Sequence, residues 1–327
     1  MANTTGKKIK DAAIIGGCAS LIYLTIGDIS YRLSLSRGGL NSKLITDMVA
    51  KSAAKKPKNE YKEKLDSMID DGADWFMHQD TEKIIIEKKH RQSLYADLIR
   101  PDKPSNVYII CIHGYTSSPA NMGIYAKKYH ELGYNVLLPS LRGHGDSEQD
   151  FITMGWNDRL DVIEWINYIA DAERHPESKI ILHGVSMGAA TTMMATGEKL
   201  PENVKAAIED CGYTSAWDIL GIRLTKSIKL PRFPFLYSAN IVNLLRENFN
   251  LRNASSVKQV KKSVTPTLFI HGEADTFVPY EMLDKVYSAA ACEKEMLSVP
   301  DAPHARSVCA HPELYWKAVT GFINKHI

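Results

Sequence analysis

A chain of 327 residues with 44% hydrophobic and 24% charged residues can build one large core, which excludes a disordered or fibrous protein. Lys and Arg nearly balance Asp and Glu, leaving a net charge of +2 and no basic footprint for nucleic acid. Five cysteines, odd in number and without metal-ligand spacing, exclude a disulfide scaffold and a Cys/His zinc site.

The N-terminus predicts a hydrophobic helix. Lys7, Lys8 and Lys10 precede Ala12 to Ile26, which carry no charge, and Asp28 interrupts before Ile29 to Tyr31. Counted through Tyr31, the stretch reaches about 20 residues, near the minimum for a membrane-spanning helix, with Asp28 at the lipid–water interface. An uncleaved anchor over residues 1–36 is the favoured reading; a cleaved signal peptide and a soluble amphipathic or core helix are the alternatives. Lysines before the segment are matched by Arg32, Arg37 and Lys43 after it, so the positive-inside rule gives no orientation. Residues 37–74 are polar and Lys-rich, broken by Pro57, and read as a linker of exposed helices.

From residue 75 the pattern becomes that of a folded body extending to 327. The apolar runs 83–88 and 93–99 flank a polar His90-Arg-Gln92 and predict a hairpin. Strands then follow at Val107–Ile112, Asn135–Leu138, Lys179–Leu182, Lys205–Ile208, Thr267–Ile270 and Glu295–Val299. Helical patterns lie between them, over about 120–132, 156–172, 187–200, 280–291 and 311–325. Strands apolar at nearly every position are those of a parallel sheet covered on both faces, so the fold class is α/β. Residues 213–262 are too long for a connector and predict a small helical cap over the site.

The chemistry centres on Gly184-Val-Ser-Met-Gly188, placed between a strand and a helix. A Gly-x-Ser-x-Gly in that context is a nucleophile elbow, which makes Ser186 the candidate nucleophile. A serine hydroxyl is un-ionised at neutral pH and needs a base, the base needs an orienting carboxylate, and the oxyanion needs amide donors. Asp275 and His304 follow the last two strands in the required chain order; Glu273 and Asp301 are the competing acids. The amides of Met187 and Tyr115 are the candidate oxyanion donors, the latter in His113-Gly-Tyr115 after an early strand. His113 is read as a loop brace, as are Arg142, His144 and Asp146 in the Gly-rich turn after the next strand. No metal motif and no phosphate-binding loop is present in the sequence, so neither metal nor cofactor is expected.

With these motifs in order, the chain resembles the α/β-hydrolase superfamily over about residues 75–327. His113-Gly-Tyr115, Arg142-Gly-His-Gly145, Gly184-Val-Ser-Met-Gly188, Asp275 with Val278-Pro279, and His304 carry the resemblance. It is similar to bacterial membrane-anchored hydrolases of the lysophospholipase/serine aminopeptidase-like group through Tyr134-Asn-Val-Leu-Leu-Pro139, Met154-Gly-Trp-Asn-Asp-Arg159 and Asp210-Cys-Gly-Tyr-Thr-Ser215. The resemblance implies Ser186, Asp275 and His304 as the triad, Tyr115 and Met187 as oxyanion donors, and a catalytic domain outside the cell membrane, a cytoplasmic one being the alternative. Ser140 stands where relatives often carry Asp, and Gln149 where they often carry Gly.

The expected activity is hydrolysis of a small-molecule carboxylic ester with a short or medium acyl chain, of the carboxylesterase or lipase kind. Trp217, Phe233 and Phe235 of the cap are the candidate substrate contacts. The second reading is an aminopeptidase-like amidase, for which Glu209, Asp210 and Asp218 are the nearby acids able to hold a substrate amine. A noncatalytic membrane-tethered scaffold is a third reading, from a different class. Cys292 and Cys309 are read as free thiols.

Overall fold

The computed structural model describes residues 2–40, 60–90, 92–171 and 177–327. Pro57 and the rest of residues 41–59 of the Lys-rich linker lie outside the described residues.

Eight strands form one sheet, β1 (Glu82–Ile86), β2 (Leu94–Ile99), β3 (Val107–Ile112), β4 (Asn135–Pro139), β5 (Lys179–Val185), β6 (Val204–Asp210), β7 (Thr267–Gly272) and β8 (Lys294–Val299), in the order β1-β2-β4-β3-β5-β6-β7-β8. The first two form the predicted hairpin and pair antiparallel; β2 meets β4 antiparallel, and every later pairing is parallel. Every residue of β3, β4 and β7 is buried, because helices cover both sheet faces and leave no side for polar residues. The central strand β3 lies between β4 and β5, so the connections leaving β3 and β5 depart to opposite sides. That divergence opens a crevice at the carboxyl ends of the strands.

Helices α1 (Ala2–Leu35), α2 (Glu60–Met77), α3 (Gly123–Glu131), α4 (Asp158–Ile169), α5 (Met187–Thr196), α6 (Ala216–Ile222), α7 (Phe235–Glu247), α8 (Ser256–Val260), α9 (Glu281–Ala289) and α10 (Pro312–His326) surround the sheet. Helix α5 is buried along its whole length, which suits its run of Gly, Ala, Thr and Met. Between β6 and β7, α6, a π-helical segment (Arg223–Ile228), α7 and α8 form the expected insertion.

Two expectations for the N-terminal part are corrected. Residues 60–77 are not an exposed linker helix: Leu65, Ile69 and Phe76 line one stripe of α2 and are buried against the body. The spanning anchor is not supported either. A helix does cover the apolar stretch, but among the described residues no helix is long and apolar enough to cross a membrane. Asp28, expected at a lipid interface, instead pairs with Arg32 at 2.8 Å and with Arg246 of α7 at 2.5 Å. Tyr31 donates its hydroxyl to Glu247 of α7, and Tyr31 and Leu35 are buried in the main core. The last two turns of α1 are therefore part of the folded body, which shortens the apolar run left for any other role.

Candidate active site

Strand β5 runs straight into Ser186, whose φ of 58° and ψ of −113° lie outside the ordinary helix and strand regions. Such a conformation costs on the order of 1–3 kcal/mol and persists because the surroundings dictate it. The flanking glycines explain how. A Cβ on Gly184 would sit 2.1 Å from the Gly188 carbonyl oxygen, and one on Gly188 would sit 1.9 Å from the Ile112 carbonyl oxygen. Neither position admits a side chain, so β3, β5 and α5 close on each other and lift Ser186 above the sheet. The Ser186 amide donates to the Asp210 carbonyl at 2.8 Å, fixing the turn to β6.

The ends of β7 and β8 bring the other two groups in. Gly272 is in register with Val299, and beyond them the Glu273 amide donates to Val299 and the Ala274 amide to Ala302. The two loops are thereby knitted together. Asp275 accepts the Phe277 and Val278 amides on Oδ1, at 2.8 and 2.9 Å, which leaves Oδ2 to accept His304 Nδ1–H at 2.6 Å. With Nδ1 carrying the proton, Nε2 is the acceptor for the Ser186 hydroxyl, 2.8 Å away. The competing acids are elsewhere: Glu273 and Asp301 are both exposed.

The candidate oxyanion donors flank the same point. Met187 opens α5, and Gly114, just before Tyr115, lies close enough that a Cβ there would be 3.3 Å from Ser186 Cβ. His113 is fully buried, donates from Nδ1 to the Gly114 carbonyl, and accepts the Leu141 amide on Nε2. His144 accepts the Thr116 amide, Arg142 forms a two-pronged pair with Asp161, and Asp146 meets Lys83. His113 and His144 join the loops after β3 and β4 and thereby hold the Tyr115 segment in place, while Arg142 and Asp146 tie the second loop to α4 and β1. Gln149 accepts the Ser147 hydroxyl, and Ser140 Oγ accepts the Asp146 amide, so both departures from the family pattern are absorbed within this turn.

Against this geometry the comparisons are specific. The model of the prolyl oligopeptidase family, Peptidase_S9, matches residues 121–327, a span containing Ser186, Asp275 and His304. The chain belongs to the prolyl oligopeptidase family. As a member of that family it is a serine hydrolase of the α/β-hydrolase superfamily. It is 27% identical over 249 residues to the uncharacterized protein YqkD of Bacillus subtilis, covering 76% of this chain and 81% of that one. It is 24% identical over 242 residues to a thermostable monoacylglycerol lipase of a Bacillus species, covering 67% and 91%. Among solved structures, an esterase of Pyrococcus furiosus superposes with a TM-score of 0.61 at 22% identity, over 77% of this chain and 93% of that one.

In this prolyl oligopeptidase family member the three candidate cap contacts separate. Phe235 lines a cleft between α1 and the cap. Trp217 does not; it packs edge-on against Tyr237 and beneath the Arg252 guanidinium, 3.9 Å from its ring centre. Phe233 is 64% exposed and also packs on Tyr237.

Two residues near the triad escaped the sequence reading. Phe277 stacks on the His304 ring, with centroids 4.8 Å apart. His271 is fully buried behind Asp275, with Nε2 3.0 Å from the Val278 carbonyl and 3.3 Å from Asp275 Oδ2. The only available sequence signals were a histidine at the end of β7 and an aromatic two residues after the acid. Donor atoms of Cys211, Asp275 and His304 also lie within 4.8 Å of one another. His304 already bonds both Asp275 and Ser186, however, and burial pushes the Cys211 thiol far above its usual range, so the set lacks an available thiolate. Cys292 and Cys309 are free thiols, as expected.

The electrostatics of Asp275 carry a prediction. Burial works against its charge, but bonds from His271 and His304 outweigh that and bring the carboxyl down to about 2. An unfolded Asp titrates near ~3.9, so this group contributes stability that is complete above that pH and lost as pH falls through about 2. The Tm difference between wild type and Asp275→Asn should therefore shrink between pH 5 and pH 2.5. A difference that stays constant across that window contradicts the assignment.

Proposed function

We propose that this chain is a carboxylic-ester hydrolase acting through an acyl-enzyme. The observation that carries this reading is the unbroken Ser186–His304–Asp275 chain of hydrogen bonds at 2.8 and 2.6 Å. His304 Nε2 takes the Ser186 proton as Oγ attacks the ester carbonyl, and Asp275 holds the ring and stabilises the imidazolium. The amides of Met187 and Tyr115 receive the oxyanion. His304 then gives its proton to the departing alkoxide. Water, deprotonated by the same nitrogen, attacks the acyl-enzyme and releases the acid with Ser186 restored.

Preference for an ester over an aminoacyl amide is supported by where the acids lie. An aminopeptidase needs a carboxylate free to hold a substrate ammonium. Glu209 and Asp210 are fully buried, and burial raises their carboxyls to about 8 and about 6. Asp218 accepts the Thr214 and Ser215 hydroxyls, and Glu247 accepts the Tyr31 hydroxyl. The matching monoacylglycerol lipase supports the same choice, with an acyl ester as its substrate.

The test is a paired panel of naphthyl butyrate, naphthyl octanoate and aminoacyl-naphthylamides. The esters should be hydrolysed with kcat/KM on the order of 10⁴ M⁻¹s⁻¹, and the aminoacyl amides at rates near background. Turnover of an aminoacyl amide equal to that of the esters would overturn the ester reading.

A further inference from the structure

The insertion between β6 and β7 is strongly cationic. Residues 213–262 carry nine Lys and Arg against two Asp and Glu, in a chain whose net charge is only +2. Asp218 and Glu247 offset only a small part of that charge, and Asp28 of α1 pairs with Arg246.

One cation is set apart by its surroundings. Arg223, at the start of the π-helical segment, is partly buried; its backbone amide donates to the Ile219 and Leu220 carbonyls, but among the described residues its guanidinium makes no ion pair and no hydrogen bond. Its guanidinium carbon sits 3.9 Å from the centre of the Phe277 ring, and that ring stacks on His304. A single phenyl group thus connects an unpaired guanidinium to the catalytic base. Burial lowers the Arg223 pKa, and the more distant Asp275 carboxylate only partly offsets the effect. A half-buried guanidinium without a partner is costly unless an anion arrives to share its donors.

Arg223 also lines a cleft that is partly open to solvent. The remaining walls are mainly apolar: Leu35 from α1, Leu220 from α6, Leu224 and Ile228 from the π-helical segment, and Leu236 from α7. Ser186 does not line the cleft, but two of the cleft's lining residues are linked to the site. Ser34, on its α1 wall, accepts the Tyr115 hydroxyl at 2.7 Å, and Arg223 reaches His304 through Phe277.

We propose that this cleft binds an anionic amphiphile, its apolar chain along Leu35, Leu224 and Leu236 and its carboxylate or phosphate on Arg223. That the occupant is a substrate rests on the esterase reading; that an anion with an apolar tail binds here does not. The planar guanidinium takes either anion in two-pronged fashion, and the exposed cap lysines add long-range attraction for the same charge. The N-terminal helix then has a stated role as one wall of the binding site.

The test uses the full chain with Ser186→Ala, so that no turnover occurs, titrated calorimetrically with octanoate, octyl phosphate and octanamide. The anions should bind about ten-fold or more tightly than the amide. Arg223→Gln in the same background should abolish that preference, and Arg223→Lys should retain part of it. In the protein with Arg223 intact, raising NaCl should narrow the preference without any change at position 223. Binding of octyl phosphate alone, or of octanoate alone, identifies the anion as phosphate or carboxylate. Equal affinity for octanamide, no binding of any of the three, or a preference that survives Arg223→Gln would overturn the proposal. Failure of the esterase reading would appear in the ester panel and leave this titration unaffected.

Discussion

Replacing Ser186 by alanine is expected to lower kcat/KM for p-nitrophenyl butyrate by about four orders of magnitude or more. The physical reason is that, among the described residues, no other hydroxyl has the same set of contacts. Ser186 Oγ lies 2.8 Å from a ring nitrogen whose opposite nitrogen is fixed by Asp275, and the backbone holds it in place through the Asp210 carbonyl. Adding His304→Ala to Ser186→Ala should cost little more, because the two groups act as one unit. The Tm of Ser186→Ala should remain within a few degrees of wild type, since only one partly exposed hydroxyl is removed. A variant retaining a tenth of wild-type activity would mean that another nucleophile serves the site.

The second large effect is structural. Gly188→Ala should abolish both activity and the soluble native fold, although it adds only one methyl group to a helix. That methyl would stand 1.9 Å from the Ile112 carbonyl oxygen and within 2.7 Å of the His113 carbonyl oxygen, both of them backbone atoms unable to rotate away. Relief requires moving β3 from β5 at the centre of the sheet, for which a cost above ~4 kcal/mol is expected. Gly321→Ala is the internal control. It lies in α10 with nothing within 4 Å of its would-be Cβ, so it should be neutral or stabilising by about 0.5–1 kcal/mol. Denaturant unfolding of the two variants separates the outcomes; similar midpoints would refute the close-approach account of the elbow.

Much of this arrangement can be read from the chain because the physics is local. Val107–Ile112 and Ile180–Leu182 are apolar throughout, which a sheet covered on both faces requires, and both lie in central strands. Ser186, Asp275 and His304 each follow a strand, and parallel strands deliver their ends to a common edge, so chain order alone brought the three candidates together. The N-terminal segment was not legible in the same way. An apolar run flanked by lysines looks alike whether it faces lipid or a protein groove, and the deciding contacts of Asp28, Tyr31 and Leu35 come from α7 and the core, more than 200 residues away in the case of Glu247. Leu65, Ile69 and Phe76 did carry a helical stripe, but the surrounding lysines masked it. Arg223, Phe277 and His271 went unread for a related reason: their roles depend on stacking and burial between loops, for which no spacing rule exists.

The same contrast explains the cap. Aromatic content pointed to Trp217, Phe233 and Phe235 together, yet only Phe235 faces the cleft, because Tyr237 supplies a competing surface for the other two. The cationic character of the insertion, nine cations against two acids, was a signal in the sequence that the aromatic reading passed over.

Labelling with a fluorophosphonate probe, followed by peptide mass spectrometry, tests the central claim most directly. The account predicts a single stoichiometric adduct on Ser186 in the wild-type chain and none in Ser186→Ala. An adduct at another residue, or undiminished labelling of Ser186→Ala, would contradict it.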